Sequence, residues 1–159
     1  MLVTRLIYYY TRQYIDIKAI AKLMSLSKQT YQLRVYYEDT DAGGNVYHAN
    51  YLNFCERART EWLRTLGIHQ SYFLEQNSGF VVRTLEMDYM AAAKLDDLLT
   101  VTSSISELKR ASVRFIQQVS NEQGQVLCKL DVLVAYIDLQ RAKPCAIPNN
   151  ILGALKGVS

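Results

Sequence analysis

Asp39, Asp41 and His48 are side chains of the types that move protons or attack a carbonyl carbon, and they flank the pair Gly43-Gly44. A carboxylate held beside a carbonyl activates water as a general base or attacks the carbon directly. Glycines let the backbone approach a ligand closely and take positive φ. The residues from Ala49 onward have helical periodicity, so this loop ends at a helix N-terminus. N–H groups there lack internal partners and carry partial positive charge, which suits an oxyanion. Carboxylate, helix end and His48 together describe an acyl-transfer or hydrolysis site. For either Asp the alternative is a simple helix cap.

Other chemistries fit these residues less well. Asp39-x-Asp41 matches the opening of a calcium loop, but the later ligand positions fall on Gly43 and Asn50, where oxygen side chains of the required kind are missing. No second His or Cys lies close in sequence, so neither a metal nor a cofactor is expected. His69 follows a helix stop and reads as surface. Cys55 lies on an apolar helix face and reads as core. The three cysteines, Cys55, Cys128 and Cys145, are odd in number and widely spaced, against a disulfide framework. A reducing, cytoplasmic location is the expectation.

Several elements must position the loop. Tyr31, Leu33, Val35 and Tyr37 alternate with Gln32, Arg34 and Tyr36, which predicts a half-buried strand over 30–37. The strongest helix follows the loop, from Ala49 to Leu66, with Tyr51, Phe54, Cys55, Ala58, Trp62, Leu63 and Leu66 on one face. Glu56, Arg57, Arg59, Glu61 and Arg64 fall mainly elsewhere, Arg57 and Glu61 being spaced as a supporting pair. Gly67 stands where a left-handed stop is expected. A short helix is expected over 70–76, then strands over 80–89, 98–108, 112–120 and 126–139. Asn121 to Gly124 reads as a hairpin turn, and a final helix spans 149–156. One long helix followed by a strand meander predicts an α+β fold with the sheet curled around the helix.

The 159 residues are 50% hydrophobic with 7 Gly and 2 Pro, enough for one core and poor in linker residues. A net charge of +3 is too weak to predict a nucleic-acid groove but suits a phosphorylated small molecule. No run approaches the ~20 apolar residues of a membrane span. Residues 1–29 read differently from the rest. Tyr14, Ile17, Ile20, Ala21 and Met24 recur at helical spacing near Lys18, Lys22 and Lys28. They form either a basic amphipathic segment touching a membrane surface or partner, or an extension ahead of a start at Met24.

The sequence resembles the 4-hydroxybenzoyl-CoA thioesterase family of hotdog-fold proteins, and within it the YbgC-type acyl-CoA thioesterases associated with the Tol-Pal envelope system. The likeness is carried by Val35-Tyr36-Tyr37-Glu38-Asp39-Thr40-Asp41-Ala42-Gly43-Gly44, Val46-Tyr47-His48-Ala49 and Glu56-Arg57-Ala58-Arg59-Thr60-Glu61. Phe80-Val81-Val82-Arg83 and Lys94-Leu95-Asp96-Asp97 match further along, and the likeness runs from about Leu33 to the terminal helix. It implies one hotdog domain over 30–159, a homodimer joined sheet edge to sheet edge, often paired into a homotetramer, and active sites at the subunit interface. It implies hydrolysis of acyl-CoA to free acid and CoA, with Asp41 as general base or nucleophile and His48 as the second catalytic residue. The backbone N–H of His48 matches the amide that polarises the thioester. Tyr47 and Tyr51 are the expected substrate-binding neighbours. Lys109 and Arg110 align with a phosphate-binding basic cluster, or are a solvated turn, and Arg83 is a candidate interface ion pair. A second reading is a non-catalytic scaffold that binds acyl-CoA or acyl carrier protein. Departures from the family pattern are Asn45, where an apolar residue is expected, and Ala92, where Pro is usual.

Overall fold

The computed structural model describes residues 28–159. The amphipathic reading of Tyr14 to Met24 lies outside those residues. The described residues begin with β1 (Lys28–Arg34), a 3₁₀ turn (Tyr37–Asp39) and the long helix α1 (Asn50–Thr65). Then come the short helix α2 (Gln70–Glu75), β2 (Ser78–Tyr89), β3 (Leu98–Lys109), β4 (Ser112–Ser120) and β5 (Val126–Asp138). A two-residue strand β6 (Lys143–Pro144) and the helix α3 (Asn149–Lys156) close it. All pairings are antiparallel, in the order β1-β3-β4-β5-β2 with β6 on β5. This is the α+β hotdog architecture: one helix held by a curled sheet. No helix among the described residues is long and apolar enough to cross a membrane.

The inner face of the sheet follows the period of two. In β4, Val113, Phe115 and Val119 are buried; in β5, Cys128, Leu130, Val132 and Val134 are buried; in β3, Leu99 and Val101 are buried. Against them lie Tyr51, Phe54, Cys55, Ala58, Trp62 and Leu63 of α1, with Trp62 meeting Phe115 edge to face at 5.9 Å. Gly67 takes φ +73° directly after the last turn, and its N–H bonds to Arg64 O at 2.9 Å. That is the left-handed stop the sequence predicts.

Three expectations need correction. The first strand ends at Arg34, not Tyr37, and already includes Lys28 and Gln29. Val35 remains buried, but Tyr36 and Tyr37 turn outward because Tyr37 opens the 3₁₀ turn; Tyr37 is 82% exposed. Arg59 is not on the solvated face of α1 but 6% exposed. Nor do Arg57 and Glu61 pair: the ion pairs on α1 are Glu56 with Arg59 and Glu61 with Arg64. Arg59 is drawn inward by Gln117 of β4, which no helix periodicity reveals.

Candidate active site

The loop between the 3₁₀ turn and α1 is a small hairpin fixed by its own backbone. Tyr47 N–H bonds to Asp39 O at 2.8 Å, Asp41 N–H to Asn45 O at 2.8 Å and Gly44 N–H to Asp41 O at 3.0 Å. Gly44 has φ +75°, which an L side chain rarely adopts. Val46 N–H bonds to Ala93 O at 2.8 Å, tying the hairpin to the segment between β2 and β3. At Gly43 a Cβ would stand 3.1 Å from Asp41 Oδ1, so a side chain there would press on the carboxylate.

The two aspartates have different tasks. Asp39 is buried, and its Oδ2 accepts Tyr36 N–H at 2.9 Å. Its main-chain oxygen also accepts Asn50 Nδ2 at 3.1 Å, which fastens the turn to α1. Asp41 is exposed, and its Oδ1 accepts Gly43 N–H at 2.8 Å and Asn45 N–H at 3.3 Å. Among the described residues its Oδ2 has no hydrogen-bond partner. The carboxylate is thus oriented through one oxygen and open at the other. Neither Asp caps α1, whose N-cap is Ala49 with no side-chain hydrogen bond.

His48 immediately precedes that cap. No acceptor among the described residues takes its backbone N–H, so a donor at a helix start is left over. Its carbonyl oxygen accepts the hydroxyl of Tyr89, the last residue of β2, at 3.1 Å. The imidazole lies 4.4 Å from the Tyr47 ring and 6.3 Å, edge on, from the Tyr89 ring, measured between centroids. Tyr47 is half exposed on the same surface. Tyr51 lies deeper, 2% exposed, and its hydroxyl accepts Ala93 N–H at 2.8 Å. Burial raises its phenol above the ordinary 10.0, against the opposing effect of that N–H, so Tyr51 is a neutral brace under the loop. Sequence reasoning missed Tyr89. Its one signal was its place at the end of a strand, since its approach to His48 depends on β2 crossing the helix start.

Lys109 and Arg110 are not brought to this loop. They form the turn between β3 and β4, where Lys109 Nζ lies 2.8 Å from Glu107. The Asp41 loop sits at the other end of β3, as the Asn45–Lys94 bridge and the 2.9 Å bond from Val35 N–H to Asp97 O place it. A strand of 12 residues separates the two, roughly 35 Å at a rise of ~3.4 Å per residue.

Fold and site together define the class: a hotdog protein with a carboxylate loop leading into the start of its long helix. A model of the thioesterase-like superfamily matches residues 35–155. The chain belongs to that superfamily, and the YbgC proteins are among its relatives. It is 52% identical over 126 residues to the acyl-CoA thioesterase YbgC of Haemophilus influenzae, covering 79% of this chain and 92% of the relative. Against the acyl-CoA thioester hydrolase YbgC of Escherichia coli it is 43% identical over 124 residues, 78% of this chain and 92% of the relative. The crystal structure of a probable thioesterase from Bartonella henselae superposes with a TM-score of 0.71 at 36% identity, covering 76% of this chain and 99% of the other. By family the chain is a thioesterase.

Proposed function

We propose that the protein hydrolyses acyl-CoA thioesters to the free acid and CoA, with Asp41 and the start of α1 as its reactive centre. The observation that carries this is the pairing of an oriented carboxylate with one open oxygen and an unused backbone N–H at His48. The thioester oxygen accepts that N–H, and negative charge developing on it is stabilised where the charge forms. Asp41 Oδ2 takes a proton from water as the water oxygen bonds to the carbonyl carbon. The tetrahedral adduct then expels the CoA thiolate, which is protonated as it leaves. Direct attack by Oδ2 uses the same geometry and passes through a mixed anhydride that water opens. Label left in the protein after a single turnover in ¹⁸O-water establishes direct attack, because only water attack at the Asp41 carbonyl of the anhydride puts it there.

The ring of His48 between Tyr47 and Tyr89 orients the substrate side of the amide. Lys109 and Arg110, too distant within one protomer, serve the CoA phosphates of a neighbouring one. The dimer this requires forms through β2. That strand is one of the sheet's two edges among the described residues, and Val82 and Leu85 on it are 49% and 45% exposed.

Asp41→Asn tests the reading. It keeps the Oδ1 contacts and the fold but removes the base, and turnover should fall by ~10²–10⁴-fold. Retention of more than about a tenth of the rate, in a protein that melts like the parent, removes Asp41 from the proposed role.

A further inference from the structure

The first turn of α1 is not wound as a regular α-helix. In that pattern His48 O would accept Leu52 N–H, but Leu52 N–H bonds to Ala49 O at 3.1 Å and Asn50 N–H to Tyr47 O at 2.8 Å. Both are the tighter bonds of a 3₁₀ turn. Among the described residues no backbone N–H reaches His48 O, which takes the Tyr89 hydroxyl instead, at 3.1 Å. Ala49 at the N-cap adds no side-chain bond of its own.

That hydroxyl comes from a fixed place. Tyr89 pairs with Cys128 of β5, and the N–H groups of Met90 and Ala91 both bond to Leu127 O, at 2.9 and 3.2 Å. Its ring meets Tyr51 and His48 edge on, at 5.8 and 6.3 Å between centroids. Partial burial raises the phenol above its ordinary 10.0, so at neutral pH the group is a donor. The two peptide units that flank the His48 Cα are therefore both pinned. The one before it carries His48 N–H and is held through Tyr47 O; the one after it is held through His48 O by Tyr89. Loss of the second bond frees His48 O to take Leu52 N–H, and rewinding of the turn redirects the amide at its head.

We propose that Tyr89 is a positioning residue for the reaction: its hydroxyl holds the first turn of α1 in the winding that aims His48 N–H at the thioester oxygen. The proposal rests on the reading of that N–H as the group that polarises the carbonyl. Tyr89 acts on the substrate only through the peptide of His48. An amide aimed where charge develops stabilises the transition state more than the bound substrate. Its misaiming therefore lowers kcat and leaves KM nearly unchanged.

The test is Tyr89→Phe in the full chain, which keeps the ring and its packing and removes only the hydroxyl. With whichever of butyryl-, dodecanoyl- and benzoyl-CoA is cleaved fastest, kcat should fall ~10-fold while KM stays within about twofold. Tyr72→Phe, an equally conservative change at an exposed tyrosine of α2, should leave both constants as they are. The direct readout is the infrared stretch of the same thioester, labelled with ¹³C at its carbonyl and bound to the Asp41→Asn protein. That stretch should lie below its value in water, and adding Tyr89→Phe should cancel about half or more of the downshift. A kcat above about half of the parent's, with Asp41→Asn inactive, overturns the role of Tyr89 and leaves the hydrolase reading standing. So does a carbonyl stretch that Tyr89→Phe does not move. A Tyr72→Phe loss as large as that of Tyr89→Phe also overturns it. No downshift in the Asp41→Asn protein removes the His48 amide from the carbonyl, and no thiol release from any of the three thioesters sinks the hydrolase reading; the role of Tyr89 falls with either.

Discussion

Replacing Gln117 by Leu isolates the polar cluster that holds Arg59. Gln117 is 1% exposed in a strand whose other inward residues are Val113, Phe115 and Val119, so Leu fits the row in size and character. What it loses is bonding: the amide accepts from Arg59 and donates to Cys55 O and Ser103 Oγ. A hydrogen bond to a charged group contributes about 1.5–3 kcal/mol and a neutral one about 0.5–1.5 kcal/mol. Leu recovers part of this by burial, but the guanidinium is left with Glu56 alone. The expected loss is ~3 kcal/mol, a large share of a typical domain's 5–15 kcal/mol. At ~2–4 °C per kcal/mol for a chain of this size, Tm should fall by roughly 10 °C. Urea unfolding gives the cleaner reading, with a lower midpoint and an unchanged slope. A loss below about 1 kcal/mol would refute the reasoning, because Arg59 would then need no partner in β4.

Further expectations follow from single features. His48→Ala leaves its backbone N–H in place, so kcat/KM for acyl-CoA should fall by less than for Asp41→Asn; no change with any thioester removes the imidazole from the site. Gly44→Ala puts a Cβ on a backbone at φ +75° and should cost about 1 kcal/mol by urea unfolding, with a larger effect on turnover because the Asp41 loop shifts. Burial pushes the Cys55 thiol from its ordinary 9.0 up to about 12. Between those values the unfolded chain gives up this proton and the folded one keeps it, so stability is intact below pH 9.0 and declines as pH rises toward about 12. Cys55→Ala should flatten that decline in urea midpoints measured against pH. Native labelling with a thiol reagent should reach the half-buried Cys145 before the buried Cys55 and Cys128, and equal rates would contradict the burial.

Local pattern is legible in a sequence because hydrophobic period, turn residues and helix stops act over a few neighbours. The long helix, its Gly67 stop, the Ser112–Ser120 strand and the closing helix over 149–156 all stand where periodicity places them. The strand expected to reach Tyr37 fails because the loop's own bonds, from Asp39 to Tyr36 and Tyr47, outcompete continued alternation. Composition and periodicity also put the carboxylates and His48 in one loop before a helix. They could not distinguish the tasks of Asp39 and Asp41, since that difference lies in which oxygen is taken and which side chain is buried.

Tertiary structure alone decided the rest, through contacts between residues far apart in the chain. Tyr89 reaches His48 across 41 positions, and Gln117 draws Arg59 into the core across 58. In sequence an Arg between charged neighbours on a helix reads as solvated. A buried polar partner reverses that, because an arginine with a bonded acceptor tolerates the loss of water and one without does not. The candidate loop was therefore visible from residue types, while the Tyr89 contact at His48 and the burial of Arg59 against Gln117 exist only once β2 and β4 are laid against α1.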